Sequence, residues 1–363
     1  MSDTTTKQML RPFIQAAPAP MFLSSFFKSP PENFHTSETV EIDIQRDGED
    51  VAVPIPGGLL GGARHNTNSA GTNKELKPPV FKERATINAA KLMDRDFGEH
   101  PYESLAFQAR AIIRTATVSG KIERKVRRAI ELQASQVLQT GQVNLTDENG
   151  INVYPLDYQA KASHFDIVDT TWAEDGTGGD RLNDLEGMAD RIRVDGLTDP
   201  DTLICGRSAL NRLLANSKVE KRVTRDGLAL GGLSPAKRNS GGIFYGFLWV
   251  GAYRFELWCY PGGYIHPQTQ QRTPFVAEDK IIMLSSQARL DLSYGAIPRL
   301  APPNAQVMKF IPNRVMDSER GVDMHVSAWL SDDMESLVVQ VGARPLCIPT
   351  EIDSFGCLDV VTG

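Results

Sequence analysis

One stretch, residues 101–140, constrains the fold more than any other part of the chain. Its apolar side chains recur every three to four residues, the period of an amphipathic helix, at Leu105, Ala109, Ile112, Ala116, Ile122, Val126, Ile130 and Val137. Pro101 suits the first helical position and Gly141 a left-handed cap. About 40 residues at 1.5 Å rise predict a rod of roughly 60 Å. A rod of this length is typical of a structural protein that spans a wall.

Gly120 interrupts this pattern. Glycine in a helix interior costs about 1 kcal/mol relative to alanine. The sequence therefore predicts either a bend at Gly120 or a close backbone contact there.

The charges on the predicted rod are strongly unequal. Residues 101–140 carry three glutamates, Glu103, Glu123 and Glu131, and seven basic side chains, Arg110, Arg114, Lys121, Arg124, Lys125, Arg127 and Arg128. The chain as a whole has a net charge of −6. Two interpretations remain open: a solvated face with tertiary carboxylate partners, or a face that neutralises nucleic-acid phosphates without reading sequence.

Composition excludes several classes of protein. The 363 residues suffice for one large or two medium domains, with 41% hydrophobic and 23% charged residues. The acidic balance argues against a dedicated DNA-binding protein, and no apolar run reaches the ~18–20 residues that span a bilayer. The four cysteines lie far apart without a CxxC pair, so we expect buried, reduced thiols.

Residues 1–35 combine prolines with aromatic side chains and few charges. The prolines prevent a long helix, and the segment is too apolar for a free disordered tail. We expect an extended arm that buries Phe13, Phe22, Phe26 and Phe27 against another surface, such as a neighbouring subunit.

Residues 40–45 alternate strictly between apolar and polar. Asp47-Gly48 is a hairpin turn signal, and residues 51–55 continue the alternation on a return strand. A run rich in glycine and asparagine follows, with Gly57, Gly58, Gly61 and Gly62, and then a strand-like stretch at 79–87. The pattern predicts a two-stranded arm with a flexible tip, and the glycines match no phosphate-binding motif.

The remaining elements mix helices with largely antiparallel strands, which predicts an α+β fold. A hairpin is expected at 143–158 around Asn149-Gly150, a loop at 175–180, and helices at 184–193 and 207–221. Strands are expected at 201–205, within 241–260, at 280–285, within 324–341 and near 357–361.

No arrangement of residues predicts catalysis. The six histidines form no HExxH pair, there is no GxSxG elbow, and the loop at 175–180 lacks the spacing of a calcium site. We therefore expect no enzyme activity, no cofactor and no metal.

The order of these parts resembles the phage lambda capsid protein E family, which has the Hong Kong 97-type fold. Local stretches that carry the resemblance are the apolar arm at 20–27, the glycine-rich hairpin at 53–73 with its return, the strand and helix at 200–218, the late strands at 275–297, and Arg344-Pro345-Leu346 before the closing strand. The resemblance implies an N-terminal arm at 1–35, a β-hairpin extension (the E-loop) at 36–92, a spine helix and peripheral domain at 93–174, an axial domain at 175–315, peripheral-domain strands at 316–347 and a closing axial strand at 348–363.

The function implied by this resemblance is that of a major capsid protein. Pentamers and hexamers of the chain would form an icosahedral shell around double-stranded DNA, assembled in the host cytoplasm and without a membrane. A scaffolding protein, a portal and a decoration protein are the implied partners. The basic spine residues would contact DNA or a neighbour's acidic residues. The alternatives are an encapsulin-like container, or a soluble α+β enzyme or ligand-binding protein.

Overall fold

The computed structural model describes residues 21–45, 71–90, 107–147, 149–224, 238–239, 241–297, 323–331 and 335–361. Within these ranges the chain is α+β, as the sequence predicts. The helices are α1 (Phe107–Thr140), α2 (Arg181–Gly196), α3 (Arg207–Leu214) and α4 (Ser217–Glu220), with 3-10 turns at Ser24–Phe26, Pro31–Asn33 and Ala162–His164.

The strands precede and follow these helices in several small sheets and one large one. They are β1 (Val40–Gln45), β2 (Gly71–Leu76), β3 (Phe81–Asn88), β4 (Gln142–Thr146), β5 (Asn152–Asp157), β6 (Phe165–Ile167), β7 (Thr202–Cys205), β8 (Val223–Thr224), β9 (Arg238–Asn239), β10 (Gly242–Val250), β11 (Tyr253–Cys259), β12 (Gly263–Ile265), β13 (Arg272–Pro274), β14 (Lys280–Leu284), β15 (Leu290–Tyr294), β16 (His325–Leu330), β17 (Ser336–Ala343), β18 (Pro345–Pro349) and β19 (Phe355–Asp359).

The predicted rod is α1, whose 34 described residues span about 51 Å. It ends as expected: Gly141 has a φ of 65° and its N–H donates to the carbonyl of Val137 at 2.8 Å. The predicted apolar stripe is buried from the middle of the helix onward, at Ile122, Val126, Ile130 and Val137. Nearer the start of the helix the prediction is wrong at Ile112, which is 40% exposed, and the neighbouring Ile113 is 50% exposed.

The helix runs unbroken through Gly120. Among the described residues, no backbone comes close to this glycine, and a Cβ placed there would have the guanidinium of Arg124 near it, at 3.8 Å.

The largest sheet in the described part has eight strands, ordered β6-β19-β14-β7-β11-β10-β8, with β9 also paired to β10. Its pairs are antiparallel except β19 with β6 and β11 with β7. Alternate residues of β14 face opposite sides, as strand geometry requires. Ile282 and Leu284 join the core around α1, and Ile281 and Met283 join the core around α2 and α3. The sheet is therefore packed between α1 on one face and α2 and α3 on the other.

The pairing of β3 differs from the predicted two-stranded arm. Phe81–Asn88 pairs antiparallel with Ser336–Ala343, in a sheet ordered β16-β17-β3. Ile87 thereby meets Leu337 and Val339 in a small core against α1. The partner of β1 is Gly71–Leu76, within the tail of the glycine-rich run. The return strand expected at 51–55 lies outside the described residues.

The helix predicted at 207–221 is divided into α3 and α4. The break falls at Ala215 and Asn216, and the Asn216 side chain caps α4 by accepting from the N–H of Lys218 at 2.9 Å. The hairpin around Asn149-Gly150 is confirmed as β4 and β5, with Gly150 at a φ of 81°. The region 324–341 contains two strands, β16 and β17.

Gly120 within α1 and Gly141 directly after it give a matched test of where the helix ends. Gly141→Ala should destabilise the protein by about 1–2 kcal/mol, because left-handed backbone disfavours a Cβ and the new methyl would lie 2.7 Å from the Cβ of Ala160. Gly120→Ala should instead stabilise it by roughly 0.5–1 kcal/mol, since the helical site has room. Denaturant unfolding of both variants measures the difference, and equal effects would contradict the assigned end of the helix.

Candidate functional site

The buried half of α1 holds the N-terminal arm through Glu131. This carboxylate is fully buried and accepts the backbone N–H groups of Leu23 at 2.7 Å and Ser24 at 2.9 Å. These N–H groups begin the 3-10 turn at Ser24–Phe26, where no preceding carbonyl is available to them. A charged acceptor makes hydrogen bonds of this kind about twice as strong as neutral ones.

The arm's aromatic residues pack inside their own chain. Phe22 is 1% exposed, and its ring centroid lies 5.5 Å from that of Phe26, 5.4 Å from Trp258 and 5.2 Å from Tyr260. Phe27 is buried in the same core. The expectation that Phe22 and Phe27 reach a neighbouring subunit is therefore wrong. Phe26 is half-buried, and Phe13 lies outside the described residues.

Three of the seven basic residues of α1 are tied into the fold. Arg110 is buried. Lys125 forms an ion pair with Glu83 of β3. Arg127 donates to Asp323 at 2.8 Å and to Glu123 at 3.3 Å. Burial opposes the charge of Arg127, but these two carboxylates outweigh it and raise its pKa.

The other four basic residues lie nearer the surface. Arg114 and Arg128 are half-buried and Lys121 is exposed. Arg124 is half-exposed, with its guanidinium over Gly120. Within the described part of the chain, neither Lys121 nor Arg124 forms an ion pair with a carboxylate. The interpretation as tertiary ion pairs thus fits Lys125 and Arg127, while nucleic-acid contact stays a prediction for Lys121 and Arg124.

Arg344 fixes the base of the β1–β2 hairpin to the body. Its side chain is 2% exposed and donates to the carbonyls of Pro78 at 3.0 Å and Ala296 at 2.8 Å. It also lies 3.6 Å from Glu38, which pairs with Lys77 at 3.0 Å. The four hairpin glycines, Gly57, Gly58, Gly61 and Gly62, lie outside the described residues.

A second buried guanidinium organises the loop before α2. Arg181 is 1% exposed and donates to five backbone carbonyls, those of Ala173, Gly176, Thr177, Gly179 and Arg212. The predicted turn at 175–180 is therefore built around a side-chain cation. The sequence analysis assigned no role to Arg181, Arg344 or Glu131. Only Arg344 carries a signal in the sequence, as a lone charge within an apolar run.

The cysteine thiols are shielded from solvent. All four cysteines are free and buried, and burial raises the pKa of Cys357 to about 12, which keeps the thiol protonated. In the described ranges, no group of three or more histidine, cysteine or acidic side chains is placed to hold a metal ion. Nor does any helix among them have the length and apolar character needed to cross a membrane.

Removing the charge of Glu131 should loosen the arm. In Glu131→Gln the amide can accept through its oxygen only, and its NH₂ group faces a buried N–H. We expect a loss of about 1–3 kcal/mol of stability and faster hydrogen exchange at residues 22–27. Glu83→Gln removes an exposed partner of Lys125 and should change stability by less than about 0.5 kcal/mol. Unchanged exchange in Glu131→Gln would contradict the anchoring role.

Comparison with known proteins identifies the architecture. Residues 6–355 match the sequence model of the family described as phage major capsid protein E. The putative capsid protein of a prophage from E. coli CFT073 has a similar structure, with a TM-score of 0.57 and 17% identity over 95% of this chain and 89% of that chain. That similarity shows a shared capsid fold. No curated protein matches the chain.

Two further structures are more distant. A chain of Mycobacterium phage Bobi matches with a TM-score of 0.48 and 10% identity, over 98% of this chain and 96% of that chain. The SrpI encapsulin of Synechococcus elongatus PCC 7942 matches with a TM-score of 0.47 and 11% identity, over 98% and 91%.

Proposed function

The chain belongs to the phage major capsid protein E family, and from this we propose that it is the shell subunit of a tailed phage, assembling as pentamers and hexamers into an icosahedral capsid around double-stranded DNA. The observation that carries the proposal is the family match over residues 6–355. In this role the chain is a structural protein of the virion, with no catalytic activity and no cofactor.

The physical features of the chain support an assembling subunit. The β1–β2 hairpin is a two-stranded sheet in the described part of the chain, and such a hairpin alone is marginally stable in water. Arg344 nevertheless fixes its base, so the hairpin leaves the body in a defined direction and can rest on a neighbour. Contacts between unlike surfaces of identical subunits close into rings, which gives capsomers.

Several finer features belong to the same proposal. The arm, E-loop, spine, peripheral and axial parts would follow the boundaries given by the family resemblance. A scaffolding protein and a portal would guide assembly in the host cytoplasm, and a decoration protein would bind the finished shell. Two cations of the spine, the exposed Lys121 and the half-exposed Arg124, would neutralise phosphates of the packaged DNA without reading its sequence.

Particle size tests the proposed assembly. Negative-stain electron microscopy of the purified protein, alone and co-expressed with its neighbouring gene products, should show polyhedral shells or rings of five and six subunits. Small globular particles under every condition would contradict the proposal. Shells that form and then purify with a protein cargo and without DNA would instead indicate an encapsulin-like container.

Charge removal tests the DNA contact. Shells of Lys121→Gln/Arg124→Gln should assemble normally but release DNA at lower salt, because fewer phosphate contacts weaken DNA binding. Each lost contact should also lower the slope of log binding constant against log salt concentration by about 0.9. Lys218→Gln/Arg222→Gln removes two exposed cations at and beside α4 and serves as the matched control. Failure of the first variant to assemble, with the control intact, would show that these residues pair with a neighbouring subunit instead.

A further inference from the structure

An open groove lies between the arm's first turn and one face of the large sheet. Its volume is about 590 Å³, and four of its ten lining residues are aromatic: Phe22 and Phe26 of the arm, and Phe247 and Trp258 of β10 and β11. Because the opposite face of the sheet packs on α2 and α3, these rings are not needed to fill that core. Phe22 and Trp258 instead belong to or pack against the core around α1, so the groove borders that core.

Six of the ten residues that line the groove are polar or charged, and most of them are engaged in hydrogen bonds. Glu256 accepts from the indole N–H of Trp258 at 3.1 Å, and Asp201 accepts from the N–H of Ser286 at 2.9 Å. Arg254 differs from them. Its guanidinium lies 3.9 Å from the ring centroid of Phe247, and among the described residues it donates no side-chain hydrogen bond. The groove therefore offers aromatic faces together with one rich hydrogen-bond donor.

The arm enters the described structure at the wall of this groove. Glu131 holds the N–H groups of Leu23 and Ser24, which fixes Phe22 beside Trp258 and Tyr260. The residues immediately before it are Ala16-Ala17-Pro18-Ala19-Pro20-Met21. The five residues 16–20 span about 15 Å in polyproline II geometry, at 3.1 Å per residue. This segment directly precedes Phe22, which lines the groove.

The chemistry of the segment matches the chemistry of the groove. Pro18 and Pro20 have no backbone N–H, so they need no acceptor in an aromatic site. Their carbonyls remain to be satisfied, and Arg254 supplies donors. Proline-rich segments bind aromatic-lined grooves because their extended conformation is already restricted before binding. The three alanines of the segment, Ala16, Ala17 and Ala19, add little bulk.

We propose that residues 16–20 of the same chain bind in this groove as an extended proline-rich segment across Phe247 and Trp258, with Arg254 donating to its carbonyls. The consequence is a second point of attachment for the arm, one segment beyond the Glu131 anchor. Residues 1–15 then leave the subunit from the far end of the groove, which sets the direction in which they can meet another molecule.

Cysteine crosslinking in the full-length protein tests this proposal. The four native cysteines are buried and free, so they do not compete under mild oxidation. Ala19→Cys/Ser286→Cys places one thiol in the segment and one in the groove wall. We expect an intrachain disulfide, seen by peptide mass spectrometry in the monomer band, to form about tenfold faster than in the matched control Ala19→Cys/Ser217→Cys. Ser217 is exposed on α4 and does not line the groove.

A second variant separates binding from chance proximity. Adding Pro18→Gly and Pro20→Gly to the groove pair should slow the crosslink several-fold, because the unbound segment gains conformational freedom. The same change should not affect the control pair. Three results would overturn the proposal: a rate equal to the control, no effect of the glycines, or a disulfide that links two chains as a dimer. The last result would assign the groove to the arm of a second copy.

Discussion

The structure depends on buried polar side chains that project from the C-terminal half of α1 and bind backbone groups of other segments. Glu131 holds the arm. Gln133 donates to the carbonyl of Pro345 and accepts from the N–H of Cys347, which fixes β18. Gln139 donates to the carbonyl of Phe275 and accepts from the N–H of Ala277, which fixes the segment before β14. Every buried backbone group needs a partner, and here one helix supplies the partners for three separate segments.

This arrangement divides α1 into two parts with different tasks. In the C-terminal half, apolar residues such as Ile130 and Val137 fill the core, and the polar residues between them bind backbone. In the N-terminal half Ile112 and Ile113 are exposed, and the cations Lys121 and Arg124 lie nearer the middle. A single long helix therefore joins a rigid centre to a surface that is available for contacts outside the subunit, which is what a shell subunit requires.

The sequence predicted those elements whose signals are local. The period of apolar residues gave α1, and Asn149-Gly150 gave the hairpin β4–β5, because each is determined by neighbouring residues. The partner of β3 could not be predicted in this way. Its alternation specifies which face is buried, but it is satisfied equally by β1 or by β17, far away in the chain. Burial of Phe22 in its own core was likewise hidden, since an apolar arm has the same sequence whether it packs on its own subunit or on another.

Glu131 was hidden for a related reason. A glutamate on a basic helix is usually a solvated side chain, and only the fold shows that this one is buried and accepts two backbone N–H groups. Such a group fixes the position of the arm more than it stabilises the fold. Removing a carboxylate from water is costly, and an apolar residue of similar volume often stabilises a core equally well. An apolar residue, however, would accept the arm in several registers. The carboxylate accepts the arm in one register, because its two oxygens meet the N–H groups of two consecutive residues.

The same reasoning applies to Arg344 at the hairpin base, where its hydrogen bonds to the carbonyls of Pro78 and Ala296 fix the direction of the hairpin. The described part of the arm and the base of the hairpin are thus each positioned by a buried charge.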